Sequence, residues 1–149
     1  MNAVITAWQA ALAAEHAAVA GYDVLGPRLD PSRTALARTD QQAHRDLRDA
    51  TSAALIAAGQ TPTPAPPDYP LPFAVTDAVT AHRFALYLES ASAAAWRYLI
   101  AVAAAQNAQV PTPSFRTDAQ TALTASAVRA TQWRRLVDPA KPTVAFPGT

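Results

Sequence analysis

A chain of 149 residues with no cysteine, a net charge of +1 and mixed acidic and basic residues has the size of one domain. It excludes disulfides, thiolate metal sites, a basic nucleic-acid surface and an acidic tail. Half of it is hydrophobic, much of that alanine, and only 7% is aromatic; alanine favours helix and close helix approach more than it fills volume, so the few large side chains must lie at the decisive contacts.

The N-terminal stretch is apolar but has no Lys or Arg before its apolar run and carries Trp8, Gln9, Glu15 and His16 at helical register. It is therefore expected to be mature structure and not a signal peptide. The first helix is predicted from an Asn2 cap to about Leu25, stopped by Gly26-Pro27. Its seam, Ile5, Trp8, Leu12, Glu15, Val19 and Tyr22, alternates spacings of three and four and sets Glu15 among apolar neighbours. His16, next in sequence, points about 100° away and reads as an interface or surface residue.

Asp30-Pro31 is expected to open a second helix that ends at Gly59, with Leu36, Ala43, Leu47, Ala54 and Leu55 on its apolar side and His44 beside them. Residues 60–76 are too rich in proline for helix. Extended at about 3.1 Å per residue they span about 53 Å, more than the roughly 42 Å of a 28-residue helix. The segment can thus cross a whole bundle and leave the third helix parallel to the second. Its PxxP spacings fit an SH3-type ligand less well than a strap docked through Tyr69, Leu71 and Phe73.

The third helix is predicted from a Thr76 cap, with Asp77 in its first turn and a seam of Val79, His82, Leu86, Glu89, Ala93, Trp96, Ile100 and Ala103. On this register His82 is a satisfied histidine near the seam's end, and Phe84, Tyr87, Leu88 and Tyr98 lie off it. A loop with Pro111 and Pro113 leads to a Ser114 cap and a fourth seam of Ala119, Ala122, Ser126, Arg129, Trp133 and Leu136. Asp138-Pro139 ends it. Residues 1–137 are read as one bundle and residues 138–149 as an irregular tail that packs loosely or frays. The longest uncharged stretch elsewhere, Tyr98 to Phe115, is broken by amides and prolines and does not suit a membrane span.

Each helix carries one strong polar residue near its midpoint: Glu15, His44, Glu89 and Arg129. In an antiparallel bundle midpoints share a level, so the four should meet in one layer, with Gln41 and Ser126 beside them. The order of Glu15-His16-Ala17-Ala18-Val19 with Gly21-Tyr22, Ala43-His44-Arg45-Asp46, Pro70-Leu71-Pro72-Phe73, Leu88-Glu89, Ala94-Ala95-Trp96-Arg97 and Val128-Arg129-Ala130 with Trp133-Arg134 resembles the ferritin-like superfamily. More narrowly, it is similar to a ferritin-like domain family of unknown function found in actinobacteria. The resemblance implies an all-α four-helix bundle with a long crossover between helices 2 and 3. It also implies, for metal-active members, a Glu on helices 1 and 3 and a Glu-x-x-His pair on helices 2 and 4. Glu15 and Glu89 match the single glutamates. The pairs stand here as Gln41-x-x-His44 and Ser126-x-x-Arg129, so one carboxylate becomes an amide and the other pair loses both ligands and gains a cation.

Two readings follow. In the first, Arg129 serves both glutamates through its planar fork, His44 and Gln41 complete the hydrogen bonds, and the layer is structural, without cofactor, in a structural or protein-interaction module. In the second, Glu15, His44 and Glu89 keep a mononuclear iron or zinc site, with His16 as a fourth ligand on helix rotation, in a metal-binding protein or oxidoreductase. No glycine-rich phosphate loop, nucleophile elbow or cysteine nucleophile is present, and Ser90, Ser92 and Ser126 suit helix packing better than catalysis. Spare apolar faces suggest a homodimer or an unidentified protein partner. Arg134 and Arg135 suit a helix C-terminus better than nucleic acid, and the lack of cysteine is compatible with the cytoplasm.

Overall fold

Four helices, α1 (Ala3–Leu25), α2 (Thr34–Ala57), α3 (Ala78–Ala105) and α4 (Phe115–Val137), make up most of the computed structural model, which describes residues 2–106 and 114–149. The predicted proline loop before α4 lies outside the described residues. Asn2 caps α1 by accepting the Val4 N–H at 2.9 Å. Gly26–Arg28 and Pro31–Arg33 form two single 3₁₀ turns, so α2 begins at Thr34 and not at Asp30, which makes no side-chain cap bond. Gly59, at φ 73°, ends α2 as only a residue tolerant of the left-handed region can, and the Gln60 N–H closes back on the Leu55 carbonyl at 2.9 Å.

The start of α3 corrects the sequence expectation by one residue. Asp77, not Thr76, is the cap: its carboxylate accepts the Thr80 N–H at 2.8 Å while the Thr80 hydroxyl accepts the Asp77 N–H at 3.1 Å, a reciprocal capping box. Ser114 makes no side-chain cap bond at the start of α4.

Contacts between helices fix their directions. Glu15 and Tyr22 of α1 meet His44 and Asp40 of α2, and Trp96 and Glu89 of α3, so both neighbours run antiparallel to α1. Ser92 and Glu89 likewise meet Ser126 and Arg129, which makes α4 antiparallel to α3. It follows that α2 and α3 are parallel.

Residues 60–76 are free of helix. Gln9 holds the segment's beginning, donating to the Thr61 carbonyl at 2.7 Å and accepting the Thr63 N–H at 2.8 Å. His16 Nε2 reaches the Thr63 carbonyl at 3.2 Å. Further along, Phe73 stands edge-on to Phe84 and Tyr87, and Val75 is buried.

The core divides into two clusters. One gathers Trp8, Leu12, Leu55, Trp96, Leu99 and Phe115, with Trp8 and Phe115 edge-to-face at 5.1 Å. The other gathers Tyr22, Leu25, Val75, Phe84, Leu88 and Trp133. Phe84 and Leu88 are thus buried, whereas Val79, placed on the expected seam, is 61% exposed. A helix packed against both α1 and α4 needs a wider apolar stripe than a single seam. Tyr87 and Tyr98 are exposed. The tail is seated on the bundle: Arg134 donates to the Pro142 carbonyl at 3.3 Å, and Gly148, at φ 82°, lies against the Ala93 backbone. Among the described residues no helix is long and apolar enough to cross a membrane.

Candidate functional site

Between the two apolar clusters lies a layer of polar side chains closed to solvent. Glu15, His44, Glu89, Ser92 and Ser126 are each 0% exposed, and Asp40 and Tyr22 are nearly so. Three ionisable groups at zero exposure would be costly without partners, and each has several.

His44 is the hub. Its Nδ1 lies 2.6 Å from Glu15 Oε2 and its Nε2 lies 2.9 Å from Glu89 Oε1. A neutral imidazole has one N–H, and here both nitrogens face carboxylate acceptors, so the geometry calls for the imidazolium. Burial opposes that charge, but the hydrogen bonds to Glu15 and Glu89 and the attraction of both carboxylates outweigh it and raise His44 to a pKa of about 9.

Each glutamate is satisfied on both oxygens. Ser92 Oγ and Trp96 Nε1 donate to Glu15 Oε1 at 2.6 and 2.8 Å. Burial pushes the Glu15 carboxyl up, but the bond and charge of His44, with the Ser92 and Trp96 donors, bring it below the usual carboxylate value. Tyr22 donates to Glu89 Oε1 at 2.7 Å, and Arg129 Nε donates to Glu89 Oε2 at 3.0 Å. Arg129 Nη2 also donates to Ser126 Oγ at 3.2 Å, and Ser126 pairs with Ser92 at 2.9 Å, which closes a circuit from Glu15 to Glu89 through hydroxyls.

A second acid joins at the edge of the layer. Trp133 Nε1 donates to Asp40 Oδ2 at 2.8 Å and lies 2.9 Å from the Tyr22 hydroxyl. Burial, then the charge of Glu89, raise the Asp40 pKa to about 6 against the bonds from Trp133 and Tyr22 and the charge of Arg129. Burial and the charges of Glu89 and Asp40 hold the Tyr22 phenol well above its usual value.

The structure brings together Glu15, His44, Glu89, Ser126 and Arg129, but not as the sequence suggested. Arg129 does not bridge the glutamates; His44 does, because the α2 midpoint faces both, while the Arg129 side chain remains 11% exposed. Gln41 lies outside the layer. Its amide donates to the Val19 carbonyl at 2.9 Å and to Asp23 at 2.7 Å, because the inward stripe of α2 runs through Ala37, Asp40, His44, Thr51 and Leu55. His16, bound to the strap, takes no part. His82 lies against Trp133, with ring centres 5.9 Å apart and the planes tilted by 38°, but its Nε2 has no hydrogen-bond partner among the described residues, contrary to the expectation of a satisfied histidine.

Asp40, Ser92, Tyr22, Trp96 and Trp133 were missing from the expected layer. The signal for the aromatic three was the polar handle each carries: buried Tyr and Trp need a partner, and all three fall on seams that also hold a carboxylate or its cation. For Asp40 the signal was its place one turn before His44.

For a metal, the donors do not fit. Both His44 nitrogens are directed at carboxylates, Glu89 carries a guanidinium, and α4 contributes only Ser126, Arg129 and the Trp133 indole to the layer, none of them a usual metal ligand. Among the described residues, no group of three or more His, Cys, Asp or Glu is arranged to hold an ion.

No curated protein matches the chain. Among solved structures, a conserved hypothetical protein, rv2844, from Mycobacterium tuberculosis is 36% identical, with a TM-score of 0.81 over 90% of this chain and 96% of that one. The match to a family covers residues 7–149, which takes in all four helices and the tail, and the chain belongs to the family described as Domain of unknown function (DUF4439).

Proposed function

We propose that this protein is a ferritin-like four-helix bundle in which an internal salt-linked layer stands where metal-active bundles hold iron, and that it serves as a structural or protein-interaction module without a metal. The helix directions support the ferritin-like reading: a parallel α2 and α3 need a connection running the length of the bundle, and the 60–76 segment meets α1 at Thr61 and Thr63 and α3 at Phe73, as such a crossover would. So do the paired glutamates at the midpoints of α1 and α3.

The observation that carries the functional reading is the double engagement of His44. A ligand histidine must offer a lone pair, and His44 faces a carboxylate at each nitrogen. The imidazolium and the guanidinium balance the two glutamates, and Asp40, with a pKa of about 6, adds one negative charge to the edge of the layer at neutral pH. The residual iron or zinc site on Glu15, His44 and Glu89 would have to displace one of these bonds and accept Arg129 beside it. For partners, self-association is favoured by Leu71, Phe73 and Tyr87, exposed apolar residues of the crossover and α3 with Phe73 packed on Tyr87.

Elemental analysis of folded protein offered ferrous iron, manganese and zinc tests the reading. No stoichiometric metal is expected. Metal bound one-to-one that vanishes in Glu89→Ala would overturn it.

A further inference from the structure

The C-terminal tail does more than end the chain. Gly148 adopts φ 82°, and a Cβ there would come within 2.7 Å of the Ala93 carbonyl oxygen, so the tail is seated by a residue that only glycine suits. Thr149 folds back on the Phe146 carbonyl, through its N–H at 3.3 Å and its hydroxyl at 2.8 Å, and Arg134 holds Pro142.

Seated this way, the tail forms one wall of a groove of about 390 Å³ whose other wall is α4, with Ser90 and Ala93 of α3 at its base. Leu123, Thr124, Ala127, Thr131 and Arg134 follow one another along the α4 side, a run of about 16 Å at 1.5 Å per residue. Val144 and Pro147 face them from the tail. Most of this lining is apolar. Val128 and Val144, on its walls, are 54% and 47% exposed, large apolar side chains left open to water at one place.

Arg134, at one end, is the single charged residue of the lining. It is half-buried, its one hydrogen bond is the long one to Pro142, and no carboxylate lies within ion-pair distance of it among the described residues. An apolar groove with one guanidinium in its lining, without a carboxylate partner among the described residues, is complementary to a molecule with an anionic head on an aliphatic chain.

We infer that the groove between α4 and the C-terminal tail binds a free medium-chain carboxylate, its head on Arg134 and its chain directed toward Leu123. The groove is separate from the polar layer, so the inference stands whether or not the layer is purely structural. The carboxylate replaces water on a partly desolvated guanidinium and can take two of its N–H groups at once. The chain covers Val128 and Val144.

The test is calorimetric titration of the intact chain with decanoate below its micelle concentration, with acetate and decyltrimethylammonium as probes of head and chain alone. Saturable one-to-one binding of decanoate is expected, with neither control binding comparably. Arg134→Gln should weaken decanoate about tenfold or more, as loss of a charge-assisted pair implies. Val128→Glu, at an exposed position that tolerates change, should weaken it by like-charge repulsion. Both variants are checked for an unchanged helical spectrum. Absence of saturable decanoate binding, equal binding in Arg134→Gln, or equal affinity for decyltrimethylammonium would each overturn the inference. So would a concentration-dependent sedimentation shift abolished by Val128→Glu, which would assign the groove to a second copy of the chain.

Discussion

His44 holds two buried carboxylates apart at hydrogen-bond distance on each side, and its replacement is more damaging than that of either end of the chain of bonds. In His44→Ala, Glu15 keeps Ser92 and Trp96, and Glu89 keeps Tyr22 and Arg129, yet two carboxylates at zero exposure lose the cation between them. A loss of about 3–5 kcal/mol is expected, the range for breaking a buried pair. Arg129→Leu should cost less, about 1–3 kcal/mol, because Glu89 retains His44 and Tyr22 and the guanidinium already touches solvent. Urea unfolding of the two variants gives the order, and equal losses would contradict it. At this scale the charged members were legible because a lone Glu, His or Arg amid alanine stands out. Asp40 was not, because it sits among Arg38, Gln41 and Gln42 in a polar stretch where composition does not say which residue turns inward. A helix rotated by one residue exchanges Gln41 for Asp40, and only packing sets that angle.

Each helix buries what its neighbours demand, and at Gly21 α1 leaves room for a side chain of α3. A Cβ at Gly21 would fall on the side chain of Leu88, which is itself buried against the second core cluster. Alanine in place of a mid-helix glycine normally stabilises by about 1 kcal/mol. Here Gly21→Ala should instead destabilise by about 1–3 kcal/mol, the usual cost of overpacking. Against a Leu88→Ala background the same change should become neutral or favourable, since the clash is gone. Chemical denaturation of the four proteins of this cycle reads the coupling, and additivity would remove the packing argument. The helices themselves were legible from their three-four spacing and from Gly26-Pro27, Gly59 and Asp138-Pro139. The apolar stripe of α3 was read too narrowly, since periodicity gives the direction of a face but not how many neighbours cover it. Asp77 was passed over as a cap in favour of Thr76 because both are good capping residues, and the choice rests on which one Thr80 can reciprocate.

For the molecule as a whole, the layer sets how stability varies with acidity. His44 has a folded pKa of about 9 against 6.5 unfolded, so its contribution is complete below about pH 6.5 and is lost as pH rises through 9. At about 1.4 kcal/mol per unit the loss is on the order of 3 kcal/mol. Asp40, held at about 6 against 3.8, also favours the protonated fold, so stability falls again as pH rises from about 4 to 6. Glu15 acts in the other sense: its carboxyl lies below 4.5 in the fold, and the stability it supplies is present above that value and lost as the solution becomes more acid. The three together place maximum stability at acidic pH, about 4 to 4.5, where Asp40 still holds its proton, Glu15 is ionised in the fold and His44 is charged. Thermal melts from pH 3 to 10 should show Tm highest at about pH 4 to 4.5 and declining as pH rises, first across the Asp40 range and again across the alkaline limb. His44→Gln should flatten the decline between pH 6.5 and 9, and Asp40→Asn the decline between 4 and 6, each leaving the other limb in place. A Tm that rises from pH 5 to 9 in the unmodified chain would mean that His44 is neutral in the fold, and with it the charge balance on which the metal-free reading rests would fail.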